Sequence, residues 1–128
     1  LITNARDAIT DRAQDTPPEE GREDHIIIST QLSATHKECV EILVEDSGGG
    51  IPEKDQGNIF DPFYTTKEVG KGTGLGLSIS YGIISDHGGK IEIVRTGSEG
   101  TIFRVLLPIA ESQANQPPRE DQGLRQTA

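Results

Sequence analysis

The 128-residue chain has one cysteine, Cys39, and no methionine. A single thiol cannot close an internal disulfide, and with three scattered histidines it makes no zinc framework. An oxidising compartment and a structural zinc are therefore both excluded. No stretch approaches the ~20 apolar residues of a membrane span, and the start at Leu1 lacks the basic region, apolar block and cleavage site of a signal peptide. Cationic charge is also scarce. Lys and Arg number 12 against 21 Asp and Glu, for a net charge of −9, and no basic patch is visible. Nucleic-acid phosphates would be repelled, so nucleic acid is excluded as a partner. The missing initiator methionine makes the chain read as a piece of a longer protein. What is present suits one globular unit. Hydrophobic residues are 32% and glycines number 15, an apolar share of about 44%, close to the usual 45–50%. The length is that of one domain able to bury a core.

Leu1, Ala5, Ala8, Ile9 and Ala13 recur at helical spacing up to about Gln14, with Asn4, Asp7 and Asp11 forming a polar stripe beside them. Thr16-Pro17-Pro18-Glu19-Glu20-Gly21 ends that helix, and the acidic run to Asp24 reads as a solvated loop. His25 to Leu32 and Cys39 to Val44 read as an antiparallel hairpin. Glu45 to about Gly72 has no sustained period and reads as one long functional loop. A second helix is expected to open at Gly74 and close at His87-Gly88-Gly89. Lys90 to Arg95 and Thr101 to Leu107 form a second strand pair. This order predicts an α+β fold, a two-layer α/β sandwich with helices on one face of a mixed or antiparallel sheet. The domain is expected over residues 1–109, followed by a disordered tail over 110–128.

The glycine clusters invite a phosphate reading, yet the common templates fail. Gly72 follows Lys71 where a Walker motif needs Ser or Thr, and Leu77 and Ile79 occupy the third-glycine places of a dinucleotide fingerprint. Taken alone, the glycines fit simple turns as well as a ligand. Gly72-Thr73-Gly74-Leu75-Gly76-Leu77 does run directly into a helix, where free N–H groups and the positive dipole end face an anion. Asp46-Ser47-Gly48-Gly49-Gly50-Ile51 follows a strand. A carboxylate there can accept from a ligand amino group while the glycines let a flat ring lie against the backbone; an ordinary acid in a turn fits equally. Asn4 offers an amide oxygen suited to Mg²⁺, or a surface amide.

In order, these segments resemble the boxes of the catalytic ATP-binding domain of bacterial sensor histidine kinases, within the GHKL superfamily of gyrase, the ninety-kilodalton chaperone and mismatch-repair ATPases. Leu1 to Ala8 resembles the later part of the N box, Asp46 to Ile51 the first glycine box, and Ile59-Phe60-Asp61-Pro62-Phe63-Tyr64-Thr65-Thr66-Lys67 the F box. Gly72 to Ser78 is similar to the second glycine box and Gly97-Ser98-Glu99-Gly100-Thr101 to the last.

The resemblance implies a Bergerat-type sandwich of three helices on a mixed sheet, holding ATP and Mg²⁺ under a mobile lid. It implies that Asn4 coordinates Mg²⁺, that Asp46 takes the adenine amino group, that Gly48, Gly50 and Ile51 line the ring, and that Thr101 hydrogen-bonds near the base. Gly72, Thr73, Gly74, Leu75, Gly76 and Leu77 would form the phosphate loop, with backbone donors from Gly74 onward. Phe60 and Phe63 would anchor the lid, while Lys67 or Lys71 would reach the phosphates or remain solvated lid charges. Relatives carry a base three places after the Asn; here that place is Asp7, which is left a water-mediated or base-side role. The activity implied is transfer of the γ-phosphoryl of ATP to a histidine, the alternatives being an ATP-hydrolysing conformational switch and a module that only binds nucleotide. None of His25, His36 or His87 is followed by the acid of a phosphoacceptor box. The acceptor is thus expected on a separate dimerisation domain of a homodimeric parent, with a response-regulator receiver domain as downstream partner. The resemblance implies a cytoplasmic domain without direct membrane contact, whether or not the parent is anchored. The residue four places before Asn4, which separates kinase from hydrolase, precedes Leu1. So do a helix and a strand, whose loss is expected to expose a sheet edge.

Overall fold

The computed structural model describes residues 1–15, 22–67 and 72–110. The turn ending the first helix, Lys71 and all of the expected tail except Ala110 lie outside the described residues. The elements are α1 (Ile2–Asp15), β1 (Ile26–Leu32), β2 (Cys39–Asp46), α2 (Glu53–Gln56), α3 (Gly76–Asp86), β3 (Lys90–Gly97) and β4 (Gly100–Pro108). Both hairpins are where alternation places them. Their strands form a four-stranded sheet in the order β1-β2-β4-β3, antiparallel at every pairing.

Because side chains alternate along a strand, register decides which residues share a face. Val44 is opposite Phe103 and Ile42 opposite Val105. Ile91 and Ile93 extend the same two rows into β3. This face carries the core of Ile59, Ile91, Phe103 and Val105, against which Leu1, Leu77 and Ile84 pack. The helices therefore cover one side of the sheet. On the other side Gln31, Glu41, Arg104 and Glu92 link the strands through Gln31 Nε2 to Glu41 (2.7 Å) and Arg104 Nε to Glu92 (2.8 Å). Ionic and polar pairs suit a face without helical cover. β1 is an edge strand, exposed from Ile27 to Leu32.

The expected long loop is shorter and more structured than its composition suggests. Ladder pairing carries β2 to Asp46, and α2 forms a single turn after Pro52. Tyr64 Oη donates to Asp55 Oδ1 at 2.6 Å, tying the F box to that turn. α3 begins two residues later than expected, at Gly76. It ends as predicted in glycine: the N–H of Gly88 bonds to Ser85 and that of Gly89 to Ile84, with Gly88 at φ +68°. That is a Schellman stop, which a residue with a Cβ adopts only under strain.

β3 also contains a bulge. Ile93 is opposite Phe103, but Arg95, not Val94, is opposite Ile102. The extra residue reverses the alternation, so Arg95 turns to the open face, where it meets Glu45 at 3.1 Å, and Thr96 comes to face Thr101.

Candidate nucleotide site

The end of β2 meets the start of β4 at Asp46, which is opposite Thr101. Both are buried, at 4% and 3% exposure. Asp46 Oδ1 accepts the N–H of Gly48 at 2.8 Å and of Thr101 at 3.3 Å. Oδ2 accepts nothing among the described residues. Burial pushes the carboxyl above its ordinary pKa, opposed by those two N–H donors. The group is thus a held acceptor with one oxygen to spare.

Gly48 lies against α1: a Cβ there would meet the Ala8 Cβ at 2.7 Å and Asp46 Oδ1 at 2.8 Å. At Gly50, with φ +79°, a Cβ would strike the Gly97 carbonyl at 2.3 Å. Protein packing alone requires glycine at both places, independently of any ring. Ile51 donates its N–H to Thr96 Oγ1 at 2.7 Å and accepts from Gln56 at 3.0 Å, while its side chain packs on the core.

One helical turn before Ala8 stands Asn4, half-buried, its amide without a partner among the described residues. The Asp7 carboxylate accepts from Lys67 Nζ and from Arg6. Lys67, then Arg6, hold its pKa below the ordinary carboxylate value. Lys67 also runs beside the glycine loop, since a Cβ at Gly72 would meet its Cδ at 3.1 Å. Asp7 therefore acts on this wall through Lys67. The pair stabilises the fold above the unfolded carboxylate pKa and loses that effect as pH falls through the lowered Asp7 pKa. Lys67→Ala should cost about 1 kcal/mol or less at neutral pH, because both groups keep some solvent contact. Unfolding free energies measured against pH should converge with the wild type in acid.

Gly74, at φ +65°, puts its carbonyl on the Phe63 N–H at 2.9 Å, and a Cβ there would lie 2.4 Å from Phe63 backbone. Phe63 is itself at φ +67° and 74% exposed. The expectation that both F-box phenylalanines anchor the loop is corrected on this point. Phe60 packs, with ring centroids 5.5 Å from Tyr81 and 6.5 Å from Phe103, but Phe63 reaches outward because its backbone is committed to Gly74. Thr73 Oγ1 receives the Leu75 N–H at 3.4 Å, so that donor is shared. Leu75 gives α3 no side-chain cap, which leaves the Gly76, Leu77 and Ser78 N–H groups of the first turn without helical partners. Leu77 buries its side chain against the core and keeps its N–H at the helix end.

A methyl at Gly76 meets nothing within 4 Å. Gly76→Ala should raise stability by up to about 1 kcal/mol through helix propensity. The same methyl on an anion-facing turn should lower Mg-ATP affinity, so thermal unfolding and calorimetry should move in opposite senses.

Three structural residues carry no signal in the box pattern. Arg12 ties α1 to the Ser47 carbonyl and to Asp24, Asp55 receives Tyr64, and Thr96 joins Ile51 to Thr101. Thr96 sits at an outward position of the strand alternation, so only the bulge reveals it.

An uncapped helix end, a spare oxygen on the carboxylate of Asp46 and an unpartnered amide suit ATP with Mg²⁺. No group of three or more His, Cys, Asp or Glu that could hold a metal exists among the described residues. The Asn4 amide oxygen is the kind of hard ligand that suits an ion otherwise held by phosphates and water, as Mg²⁺ prefers.

Residues 1–111 match the family described as histidine kinase-, DNA gyrase B-, and HSP90-like ATPase. The chain is similar to sensor kinase CckA of Brucella abortus (strain 2308), with 42% identity over 126 residues covering 92% of this chain and 13% of that protein. It is 39% identical over 110 residues to the two-component sensor PprA of Pseudomonas aeruginosa, covering 86% of this chain and 11% of that one. Among solved structures, the catalytic domain of histidine kinase ThkA superposes with a TM-score of 0.55 at 36% identity, covering 83% of this chain and 67% of that one. Full-length ShkA in complex with AMPPNP gives a TM-score of 0.59 at 26% identity, over 70% of this chain and 18% of that one.

Proposed function

The chain belongs to the family of histidine kinase-, DNA gyrase B- and HSP90-like ATPases, in the form of the histidine-kinase catalytic domain, and on that footing we propose that it transfers the γ-phosphoryl of ATP to a histidine on a separate dimerisation domain. The observation that carries the reading is the buried Asp46–Thr101 pair, which offers an unused acceptor oxygen at the end of the sheet. Asp46 takes the adenine amino group and Thr101 bonds near the base, with Gly48, Gly50 and Ile51 shaping the floor. The first turn of α3 and the glycines before it hold the phosphates, and Asn4 holds Mg²⁺. Lys67 stands between α1 and the glycine loop as the cation for the phosphate tail, and Lys71 is proposed for the same tail.

In the transfer, the acceptor imidazole nitrogen forms a bond to the γ-phosphorus as the bond to the ADP oxygen breaks, and the ring proton passes to solvent. Mg²⁺ supplies charge neutralisation on the phosphates. The chain's own contribution is positioning and electrostatics, with no covalent intermediate. The acceptor is placed outside this chain because none of His25, His36 and His87 is followed by the acid of a phosphoacceptor box. A homodimeric parent, a response-regulator receiver domain as next acceptor and a cytoplasmic setting complete the proposal. No helix of the described residues is long and apolar enough to cross a membrane.

The test supplies γ-labelled Mg-ATP and the dimerisation domain of a related sensor kinase. Acid-labile, base-stable label on that domain is the expected result. Phosphate release without a labelled protein would instead make the chain an ATP-hydrolysing switch.

A further inference from the structure

Lys67 closes the F-box run, whose backbone is pinned on both sides of the loop. The Phe63 N–H bonds to the Gly74 carbonyl at 2.9 Å, Tyr64 Oη to Asp55 Oδ1 at 2.6 Å, and the Lys67 N–H to Thr65 Oγ1 at 3.2 Å. The lysine side chain then runs beside the glycine loop, where a Cβ at Gly72 would meet its Cβ at 3.2 Å and its Cδ at 3.1 Å. Its ammonium is placed by Asp7, whose Oδ2 accepts from Nζ. The other carboxylate oxygen is already committed, since Arg6 donates to Oδ1 through Nη2 at 2.7 Å and Nε at 3.1 Å. That two-point clasp keeps Oδ2 turned to the lysine. Asp7 follows Asn4 by three residues, so their Cβ atoms lie about 5–6 Å apart on one face of α1. An ammonium has three protons to give. Among the described residues Lys67 Nζ gives one to Asp7 and has no other acceptor, which leaves two for a ligand. The pair is half-buried, so a ligand can reach them. An isolated carboxylate here would repel a polyanion, but Arg6, Asp7 and Lys67 together carry one net positive charge.

We infer that Asp7 is a positioning residue for the phosphate tail: clasped by Arg6, it holds the Lys67 ammonium between α1 and the glycine loop with two N–H groups left for phosphate oxygens. The acid favours a polyanion because a flexible lysine is ordered before the ligand arrives, not at its expense. In this role Asp7 presupposes the nucleotide reading above, in which Lys67 serves the phosphate tail, and adds what presents the lysine to it.

The sign of one substitution in two backgrounds tests this. The full chain, Asp7→Asn, Lys67→Ala and the double variant are titrated with Mg-ATP by calorimetry. Lys67→Ala should weaken binding about tenfold, and Asp7→Asn about three- to tenfold although it removes a negative charge from the site. With Lys67 already replaced by alanine, Asp7→Asn should leave affinity unchanged or tighten it. Asp7→Glu, which keeps the carboxylate, should recover most of the loss. An Asp7 that only repels phosphate, or that withholds the lysine from it, gives tighter binding in Asp7→Asn and overturns the inference. A merely structural Asp7 weakens binding in both backgrounds and overturns it too. If Asp7→Asn does not fold, the wild type decides by NMR: a nuclear Overhauser contact between the Lys67 and Asp7 side chains should persist when Mg-ATP is bound, and its loss means that the lysine has left the acid. Failure of the underlying site reading looks different, since Lys67→Ala and folded Asp46→Asn would then both bind Mg-ATP as the wild type does, and the role of Asp7 falls with it.

Discussion

Asp46→Asn is expected to fold with near-native stability and to lose roughly 10- to 100-fold in Mg-ATP affinity, about 1.4–2.8 kcal/mol. The asymmetry follows from the two carboxylate oxygens. An asparagine keeps Oδ1, so the N–H groups of Gly48 and Thr101 stay satisfied. In place of Oδ2 it sets an NH₂, turning the acceptor for an amino group into a donor against a donor. Asp46→Ala removes both oxygens and leaves two buried N–H groups unpaired, so it should lose stability as well as affinity. The sign of the pH dependence separates the variants further. Burial raises the folded pKa of Asp46, so its contribution to stability is fully present below the unfolded carboxylate pKa and is lost as pH rises through the folded value. At neutral pH the charged carboxylate is a cost, and Asp46→Asn relieves it. Urea unfolding should find Asn at or above wild-type stability at pH 7, with the wild type gaining on it in acid. Calorimetry at pH 7 on both folded proteins supplies the affinity, and equal affinities would sink the assignment of Asp46 to the base.

Local signals and long-range ones were unequally legible in the sequence. Apolar spacing placed α1, α3 and both hairpins, because helix and strand periods are written in neighbours. The pairing of β2 with β4 is not written there: it joins Asp46 to Thr101 across 55 residues. Box order aligned both residues with one ligand without saying that they touch. α2 escaped because Glu53-Lys54-Asp55-Gln56 has no apolar stripe; a turn after Pro52 and the buried Asp55–Tyr64 bond hold it instead. The Asp7–Lys67 bridge spans 60 residues, so local sequence does not show that the acid standing where relatives carry a base has a lysine partner. Phe63 departs from the expectation because aromatic residues usually anchor by burial, whereas here its backbone makes the contact and its ring remains outside.

Gly100→Ala should be the most damaging single methyl in the site. At φ +118° its Cβ would lie 1.8 Å from the Asp46 carbonyl oxygen and 3.0 Å from the Ser47 Cα. These are backbone atoms of a central strand, so no side chain can swing away, and relief requires β4 to part from β2 where Asp46 pairs with Thr101. Forcing a non-glycine residue into that conformation costs about 1–3 kcal/mol by itself, and with the overlap the loss should reach about 4 kcal/mol or more. That is much of the 5–15 kcal/mol by which a typical domain is stable. Any Gly100→Ala protein that remains folded should bind no Mg-ATP, because the acceptor and the donor of the floor have been separated. Gly97, at the other end of the same turn and in the same box, is the control. A Cβ there meets nothing within 4 Å, so Gly97→Ala should cost about 1 kcal/mol or less, the range of an ordinary exposed substitution. Urea unfolding of the two variants side by side checks the contrast. If they prove equally stable, close backbone approach is not what holds Asp46 against Thr101, and glycine in this box would have to be explained by the ligand.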